Sequence, residues 1–410
     1  MADSHVSGTE RWLLWAMVAA IVAGGVSGFL WGEAMLAVGW LGDLFLTALK
    51  MMIVPLVAAS VITGVAGLGD VRRLGWLGGI SVAYYAVTTL MAVSIGLVMA
   101  NLWQPGVGVP LGTDLQAPQT RAGDIGITDL ILSLVHPNII AAAADMKLLP
   151  IIVFCIAFAA ALSTLGSRGE PVIAFFDGLN EAIMRLVHWL MYFAPLGVFA
   201  LIAARLGAAG GGEAFFAQLA GLGKYALAVI SGLIVHAGVL CALLFVLARR
   251  HVGEYLQHMA TALMTAFSTA SSSATLPLTM DGVKAAGVPE TARRFVLPLG
   301  ATINMDGTAL YEAVAVLFIA QAMGMDISFF QQLLVLLTAT MAAIGAAGIP
   351  EAGLVTMVIV LEAVGLPLEG IGLILAIDWF LDRCRTTVNV FGDSVGAAVV
   401  GRLGREQETP

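Results

Sequence analysis

Apolar positions in this chain run unbroken for the length of a bilayer crossing, where a soluble protein would alternate them with polar ones at a helix or strand period. The runs are Trp12 to Trp31, Leu44 to Val65, Ile80 to Leu102, Leu148 to Leu165, Leu190 to Ala204, Ala226 to Ala248 and Val314 to Met323. Most approach or exceed the roughly 20 residues an α-helix needs to span the hydrocarbon core. Breaks rich in Gly, Pro and charge fall at Gly32 to Glu33, Asp70 to Arg73, Pro105 to Asp129, Gly166 to Pro171, Gly207 to Glu213, Arg249 to Glu254, Asp281 to Arg294, Gly324 to Ser328 and Pro367 to Gly370. Only Pro105 to Asp129 is long, and its prolines and glycines predict an irregular external loop. The pattern predicts an all-α polytopic membrane protein.

Two apolar segments do not read as crossings. Met264 to Met280 contains FSTASSSATLPLTM, and Thr338 to Met357 contains AAIGAAGIPEAG. Small residues and a proline, Pro277 or Pro350, break each in its middle, so each reads as two short helices meeting at a tip: a re-entrant hairpin. The first is followed by ATINMDGTALYE and the second by RTTVNVFGD, each an apolar helix with a polar centre. Hairpin followed by interrupted helix, used twice with opposite entry sides, is an inverted repeat, and such paired segments point to a transporter's midplane site. With a cytoplasmic N-terminus, Arg72, Arg73, Arg168, Arg249, Arg250, Lys284, Arg293, Arg294, Arg402 and Arg405 fall inside, against Arg121 and Arg205 outside. Both termini are therefore expected in the cytoplasm.

Composition supports the same class: 60% of the 410 residues are hydrophobic and 11% charged, with a mean hydropathy of +0.96, against about 25% charged in a soluble protein. The start, MADSHVSGTER, lacks the features of a secretory signal, so a retained first span is expected. Cys155, Cys241 and Cys384 sit singly in apolar segments as packing residues, the six histidines make no metal motif, and the net charge of −8 marks no nucleic-acid partner.

Against this background DWFLDRCRTTVNVFGD stands out. Asp378, Asp382, Arg385, Asn389 and Asp393 follow at intervals of four, three, four and four, which places them on one narrow stripe of a helix. Lipid cannot accept that stripe, so it faces a cavity or partner groups. An ion-pair ladder, Asp382 with Arg385 and Asp378 with Arg383, would use part of it. Asp306, Glu312 and Asp393 then lack positive partners in the nearby spans, and bound cations would supply them through carboxylate, amide, hydroxyl and unwound backbone oxygens near Asn304 to Gly307. Arg385 presents a planar fork that matches a carboxylate. Ser271 to Ser273 and the backbone near Gly353 could bind a second carboxylate at half-helix N-termini, and Asp382 an α-ammonium group. One cation and two anions describe an acidic amino acid. Glu312 lies two turns beyond Asn304; removal from water favours the neutral form of a lone carboxyl group, so it reads as a proton carrier. The serine cluster has no GxSxG or adjacent His base, so no catalytic reading is expected.

From KMMIVPL to GDSVGA, with SSSATLP, NMDGT, AAGIP and RTTVNVFGD between, the chain resembles the dicarboxylate/amino acid:cation symporter family, which includes the excitatory amino-acid transporters. The resemblance implies eight transmembrane helices with the two hairpins, in a homotrimer working by an elevator movement. Residues 1–75 (spans one and two) and 128–210 (spans four and five) would be scaffold; residues 76–105 (span three) and 211–410 would move; residues 106–127 would form the external loop. The outer hairpin around Gly348 to Gly353 would be the gate. By position, substrate would contact Ser271, Ser272, Thr308, Ile349, Gly353, Asp382, Arg385, Thr386 and Asn389. One sodium would use Gly300, Asn304, Asn389 and Asp393, and a second Tyr85, Thr88, Thr89, Asn304 and Asp306. A third would use the backbone at Thr302, Met305, Ala343, Ile344 and Ala346.

Archaeal sodium-only members resemble this chain but carry an Arg in the first hairpin, where Ala270 stands here, and a Gln in place of Glu312. Arg383 with Glu312 is similar to the animal, proton-coupled arrangement, and PEAG at Glu351 instead of PQAG leaves potassium countertransport open. The short loops look bacterial, which implies the cell inner membrane. The expected function is import of glutamate or aspartate with Na+ and H+. The same-family alternative is a proton-driven glutamate or C4-dicarboxylate symporter; the sodium ligands and Asp382 count against it. An anion channel would need no cation sites.

Overall fold

The apolar runs fold as helices in a computed structural model of the protein, which describes residues 8–66, 75–109, 132, 134–145, 147–208, 212–344 and 352–408. In chain order the helices are α1 (Gly8–Trp31), α2 (Gly39–Ala66), α3 (Gly75–Trp103), α4 (Ile139–Ala144), α5 (Leu148–Ser163), α6 (Glu170–Met191), α7 (Ala194–Ala208), α8 (Gly212–Val246), α9 (Val252–Thr269), α10 (Ser272–Ala285), α11 (Glu290–Ile303), α12 (Asp306–Ala322), α13 (Phe329–Ile344), α14 (Ala352–Ala363) and α15 (Ile371–Glu408). There is no strand among the described residues. Trp15–Phe45, Leu77–Trp103, Phe216–Val246 and Glu290–Ala322 are long and apolar enough to cross a membrane. Large apolar side chains on them stand exposed, Trp15 at 69% and Val246 at 63% among them, as lipid-facing positions would.

α12 is the centre of the molecule. Every residue from Asp306 to Ala320 is buried, enclosed by α3, α8, α13, α14 and α15. α3 lies against it at backbone distance, because Gly96 has no side chain: a Cβ there would stand 2.6 Å from the Leu310 carbonyl oxygen. That approach brings Thr88 and Thr89, two turns earlier on α3, to the start of α12. A second group of helices packs around α2, which meets α5, α6 and α7, while α1 lies on α7. The two groups touch where α13 and α14 face α5, where α14 meets α2, and where α15 meets α7.

Three features differ from the sequence pattern. α6 fills the stretch between the expected fourth and fifth apolar runs, and Leu190 to Ala204 is divided at Tyr192 and Phe193 between α6 and α7. Asp177, Glu181 and Arg185 interrupt the apolar pattern of α6, which hides the helix from a search for continuous runs. The break between α9 and α10 falls at Ala270 and Ser271, six residues before Pro277, which sits inside α10. As the sixth residue of α10, Pro277 leaves the Ser273 carbonyl without its intrahelical donor, yet the helix continues through it. The third difference is α15, which is continuous from Ile371 to Glu408. Only the first of the two expected interrupted helices is interrupted, at Asn304 and Met305 between α11 and α12.

Candidate functional site

The two unwound residues between α11 and α12 set the geometry. Asn304 (φ −110°, ψ 82°) and Met305 (φ −110°, ψ 54°) leave the helix, and Asp306 begins the next one. An acidic residue in a first turn suits the positive end of the helix dipole. Asp306 is fully buried. Its Oδ1 accepts from Thr89 Oγ1 at 2.7 Å and from Thr88 Oγ1 at 3.3 Å, while Thr88 also reaches Asn304 Oδ1 at 3.5 Å. On the other side of the break, Asn304 Nδ2 donates to Asp393 Oδ1 at 2.9 Å. Gly300 completes this wall: a Cβ there would collide with the Asp393 carboxylate and stand 2.8 Å from the Tyr85 hydroxyl. Tyr85 donates to the Val296 carbonyl at 2.6 Å. Tyr85, Thr88, Thr89, Gly300, Asn304, Asp306 and Asp393 thus meet around one break in one helix.

Asp306 has a hydrogen-bond partner that the sequence pattern did not offer. His236, on α8, places Nε2 3.0 Å from Asp306 Oδ2, and both side chains are fully buried. His236 lies in a long apolar run, and its partner is 70 residues away, beyond the reach of any local periodicity.

A second cluster forms on α15, whose stripe faces inward with Asp378, Asp382, Arg385, Thr386, Asn389 and Asp393 all buried. Arg385 Nη1 donates to Asp378 Oδ1 at 2.9 Å and Nε to Asp382 Oδ1 at 2.9 Å. Its guanidinium lies 4.3 Å above the Tyr311 ring, a cation–π arrangement. Asp378 is therefore the partner of Arg385 and not of Arg383: seven residues apart on a helix leaves two side chains about 20° apart, whereas five residues leaves them about 140° apart. Arg383 points elsewhere and donates to the Ser268 carbonyl at the end of α9 at 3.3 Å.

The ends of other helices close around this stripe. Gly353, in the first turn of α14, sits directly on the guanidinium, and a Cβ there would be 2.6 Å from Arg385 Cζ. Gly307 N donates to Asn389 Oδ1 at 2.7 Å, and Asn389 Nδ2 donates to Thr308 Oγ1 at 3.2 Å and to Met305 Sδ at 3.3 Å. Asn389 therefore joins the two clusters. Ser271 caps α10, accepting from Ala274 N at 3.2 Å, and Ser272 is buried beside it. Ala270, just before the cap, has φ +51°, a left-handed conformation that costs a non-glycine residue roughly 1–2 kcal/mol. Glu312 is fully buried in α12. Its polar neighbour is Thr356, which donates its hydroxyl to the Gly353 carbonyl at 3.3 Å, and neither Glu312 oxygen has a hydrogen-bond partner among the described residues.

The backbone positions expected at a third site are only partly described. Met305 is buried at the break, Ala343 is buried and Ile344 ends α13, while the Thr302 side chain is exposed and donates to Pro298 O at 2.8 Å. Ala346 and Ile349 lie outside the described residues. Among the described residues no three His, Cys, Asp or Glu side chains gather as a metal-holding group. The donors around the break are two carboxylates among neutral oxygens, which suits a hard cation better than a soft transition metal.

The sodium:dicarboxylate symporter family model matches residues 13–403. Excitatory amino acid transporter 1 of Ambystoma tigrinum is 38% identical, covering 89% of this chain and 77% of its own. A putative sodium-dependent excitatory amino acid transporter of Caenorhabditis elegans is 40% identical over 89% of this chain and 83% of its own. Neutral amino acid transporter B(0) of Bos taurus is also 40% identical, over 94% and 78%. The family and these relatives are transporters and not enzymes, and with the apolar helices they make this a multi-pass membrane protein. A match that spans nearly the whole length, with the breaks and buried polar clusters inside it, means that the chain belongs to the sodium:dicarboxylate symporter family.

Proposed function

We propose that the protein imports glutamate or aspartate together with sodium ions and a proton. The observation that carries this reading is the charge balance of the interior. Among the described residues Asp306, Glu312, Asp378, Asp382 and Asp393 are buried, against a single buried guanidinium, Arg385. Isolated buried charge is expensive, and an acidic amino acid would add another net negative charge. Cations must therefore enter with it.

In this reading Arg385 takes the side-chain carboxylate, Asp382 the α-ammonium group, and the backbone N–H groups after Ser271 and near Gly353 the α-carboxylate. Ser272, Thr308, Ile349, Thr386 and Asn389 complete the substrate chamber. Gly300, Asn304, Asn389 and Asp393 hold one sodium; Tyr85, Thr88, Thr89, Asn304 and Asp306 hold a second; the backbone at Thr302, Met305, Ala343, Ile344 and Ala346 holds a third. Asn389 touches both Thr308 and the Gly307 amide, so cation and substrate binding share a side chain and would favour each other. Glu312, buried and in no ion pair among the described residues, carries the proton. Arg383, which donates from α15 to the end of α9, would tune coupling, with potassium countertransport as the return step.

The architecture proposed with it has eight spans and two re-entrant hairpins, α9 with α10 and α13 with α14, in an inverted repeat. The elevator would move residues 76–105 and 211–410 against a trimeric scaffold of residues 1–75 and 128–210, joined by the loop at 106–127. Both termini would face the cytoplasm across the cell inner membrane. The 40% identity to a neutral amino acid transporter means that overall similarity does not choose the substrate's charge. That choice rests on Arg385.

Purified protein in liposomes should take up labelled aspartate and glutamate, with succinate a weak competitor because it offers nothing to Asp382. Equal competition by succinate would favour the C4-dicarboxylate reading instead. Glu312→Gln should transport or exchange substrate without dependence on pH, because a carboxamide of the same shape cannot release a proton. Substrate-coupled proton uptake persisting in that variant would remove Glu312 from the carrier role.

A further inference from the structure

The sequence pattern assigned no part to His236, yet it makes the closest polar contact to Asp306 from outside α3 and α12. Its Nε2 lies 3.0 Å from Asp306 Oδ2. Its Nδ1 is also buried and has no hydrogen-bond partner among the described residues. A ring nitrogen that meets a carboxylate oxygen at this distance carries a proton and donates it. Whatever the ring's charge, Nε2 is the nitrogen that meets the carboxylate. Asp306 Oδ2 is directed to α8, and Oδ1 is left with the Thr88 and Thr89 hydroxyls beside Asn304.

We propose that His236 is a positioning residue for the cation site at Asp306. Its Nε2–H fixes the plane of the carboxylate, so that Oδ1 and the oxygens of Thr88, Thr89 and Asn304 are arranged for a cation before one arrives. The proposal rests on the reading of Asp306 as a sodium ligand. Histidine and carboxylate partners outside a ligand shell set ligand orientation elsewhere, and losing one typically weakens ion binding about 10–100-fold. Without His236, Oδ2 would turn toward the hydroxyls and the site would have to form each time a cation bound.

The test is a sodium titration of labelled aspartate uptake into liposomes by the wild type, His236→Leu, His236→Gln and Asp306→Asn. His236→Leu should raise the sodium concentration for half-maximal uptake by roughly tenfold or more. Its half-saturating aspartate concentration at saturating sodium should stay within about twofold of wild type, as for separate sites. In His236→Gln the amide nitrogen stands where Nε2 stood, and most of the sodium affinity should return. Equal losses in the Leu and Gln variants would mean that ring packing matters and the donor does not, which overturns the proposal. An unchanged sodium requirement in His236→Leu, with a shifted one in Asp306→Asn, overturns the positioning role and leaves the cation site standing. An unchanged requirement in Asp306→Asn removes both. Should His236→Leu fail to fold, His236→Gln against the shorter His236→Asn decides: identical sodium curves for the two overturn the proposal.

Discussion

Arg385→Cys should abolish measurable uptake of glutamate and aspartate and admit small neutral amino acids in their place. Arg385 is 1% exposed, and two carboxylates and an aromatic face hold its fork in one orientation. A carboxylate on the substrate can replace one of those partners without any change in the fork. Removing one member of a buried, hydrogen-bonded charge pair costs about 2–5 kcal/mol, or roughly 30-fold to several thousandfold in affinity. The thiol leaves room beside Gly353 for a short neutral side chain, while Asp382 remains for the ammonium group. Asp378 and Asp382 lose their shared cation, so the variant should also be less stable, and thermal unfolding in detergent should be compared before uptake is read. Arg385→Lys keeps the charge and loses the fork. It should weaken acidic substrates less than the cysteine and admit no neutral ones. Unchanged glutamate affinity in Arg385→Cys would show that another group reads the side chain.

Asp393→Asn should raise the sodium concentration needed for half-maximal uptake beyond roughly a hundredfold, more than the loss of an outer-shell partner causes. Asp393 is 3% exposed and receives the Asn304 amide at 2.9 Å, and that neutral donor leaves its charge uncompensated. Asparagine preserves shape and can still accept from Asn304, so the fold should survive while the charge that attracts the ion is gone. Substrate affinity should fall mainly through the sodium requirement, because Asn389 connects the two clusters, and saturating sodium should restore part of it. Asp393→Glu keeps the charge but has no room, since a Cβ on Gly300 would already collide with the Asp393 carboxylate. The glutamate variant is therefore expected to be impaired as well. Sodium curves identical to wild type in Asp393→Asn would exclude this carboxylate as a ligand.

How much of this the sequence could show depended on whether each feature is local. The stripe from Asp378 to Asp393 was legible because helical spacing alone puts it on one face and the surrounding apolarity makes burial costly. The break at Asn304 was legible because polar, glycine-containing NMDG interrupts an apolar run. RTTVNVFGD has similar polarity and suggests an interruption, yet α15 runs through it unbroken. The charges of α6 conceal a helix that has no unbroken apolar run. The partner of Asp378 follows from angular position on the helix, which proximity in sequence does not convey. His236 depends on two helices far apart in the chain lying side by side, and no periodicity carries that information.

The central claim is that buried, uncompensated carboxylates oblige substrate to enter with sodium. The most direct test is uptake of labelled aspartate by purified protein in liposomes under an imposed inward sodium gradient, compared with vesicles in which choline replaces sodium at the same membrane potential and pH. Accumulation above the external concentration with sodium, and none with choline, is the predicted result; equal accumulation in the two would contradict the account.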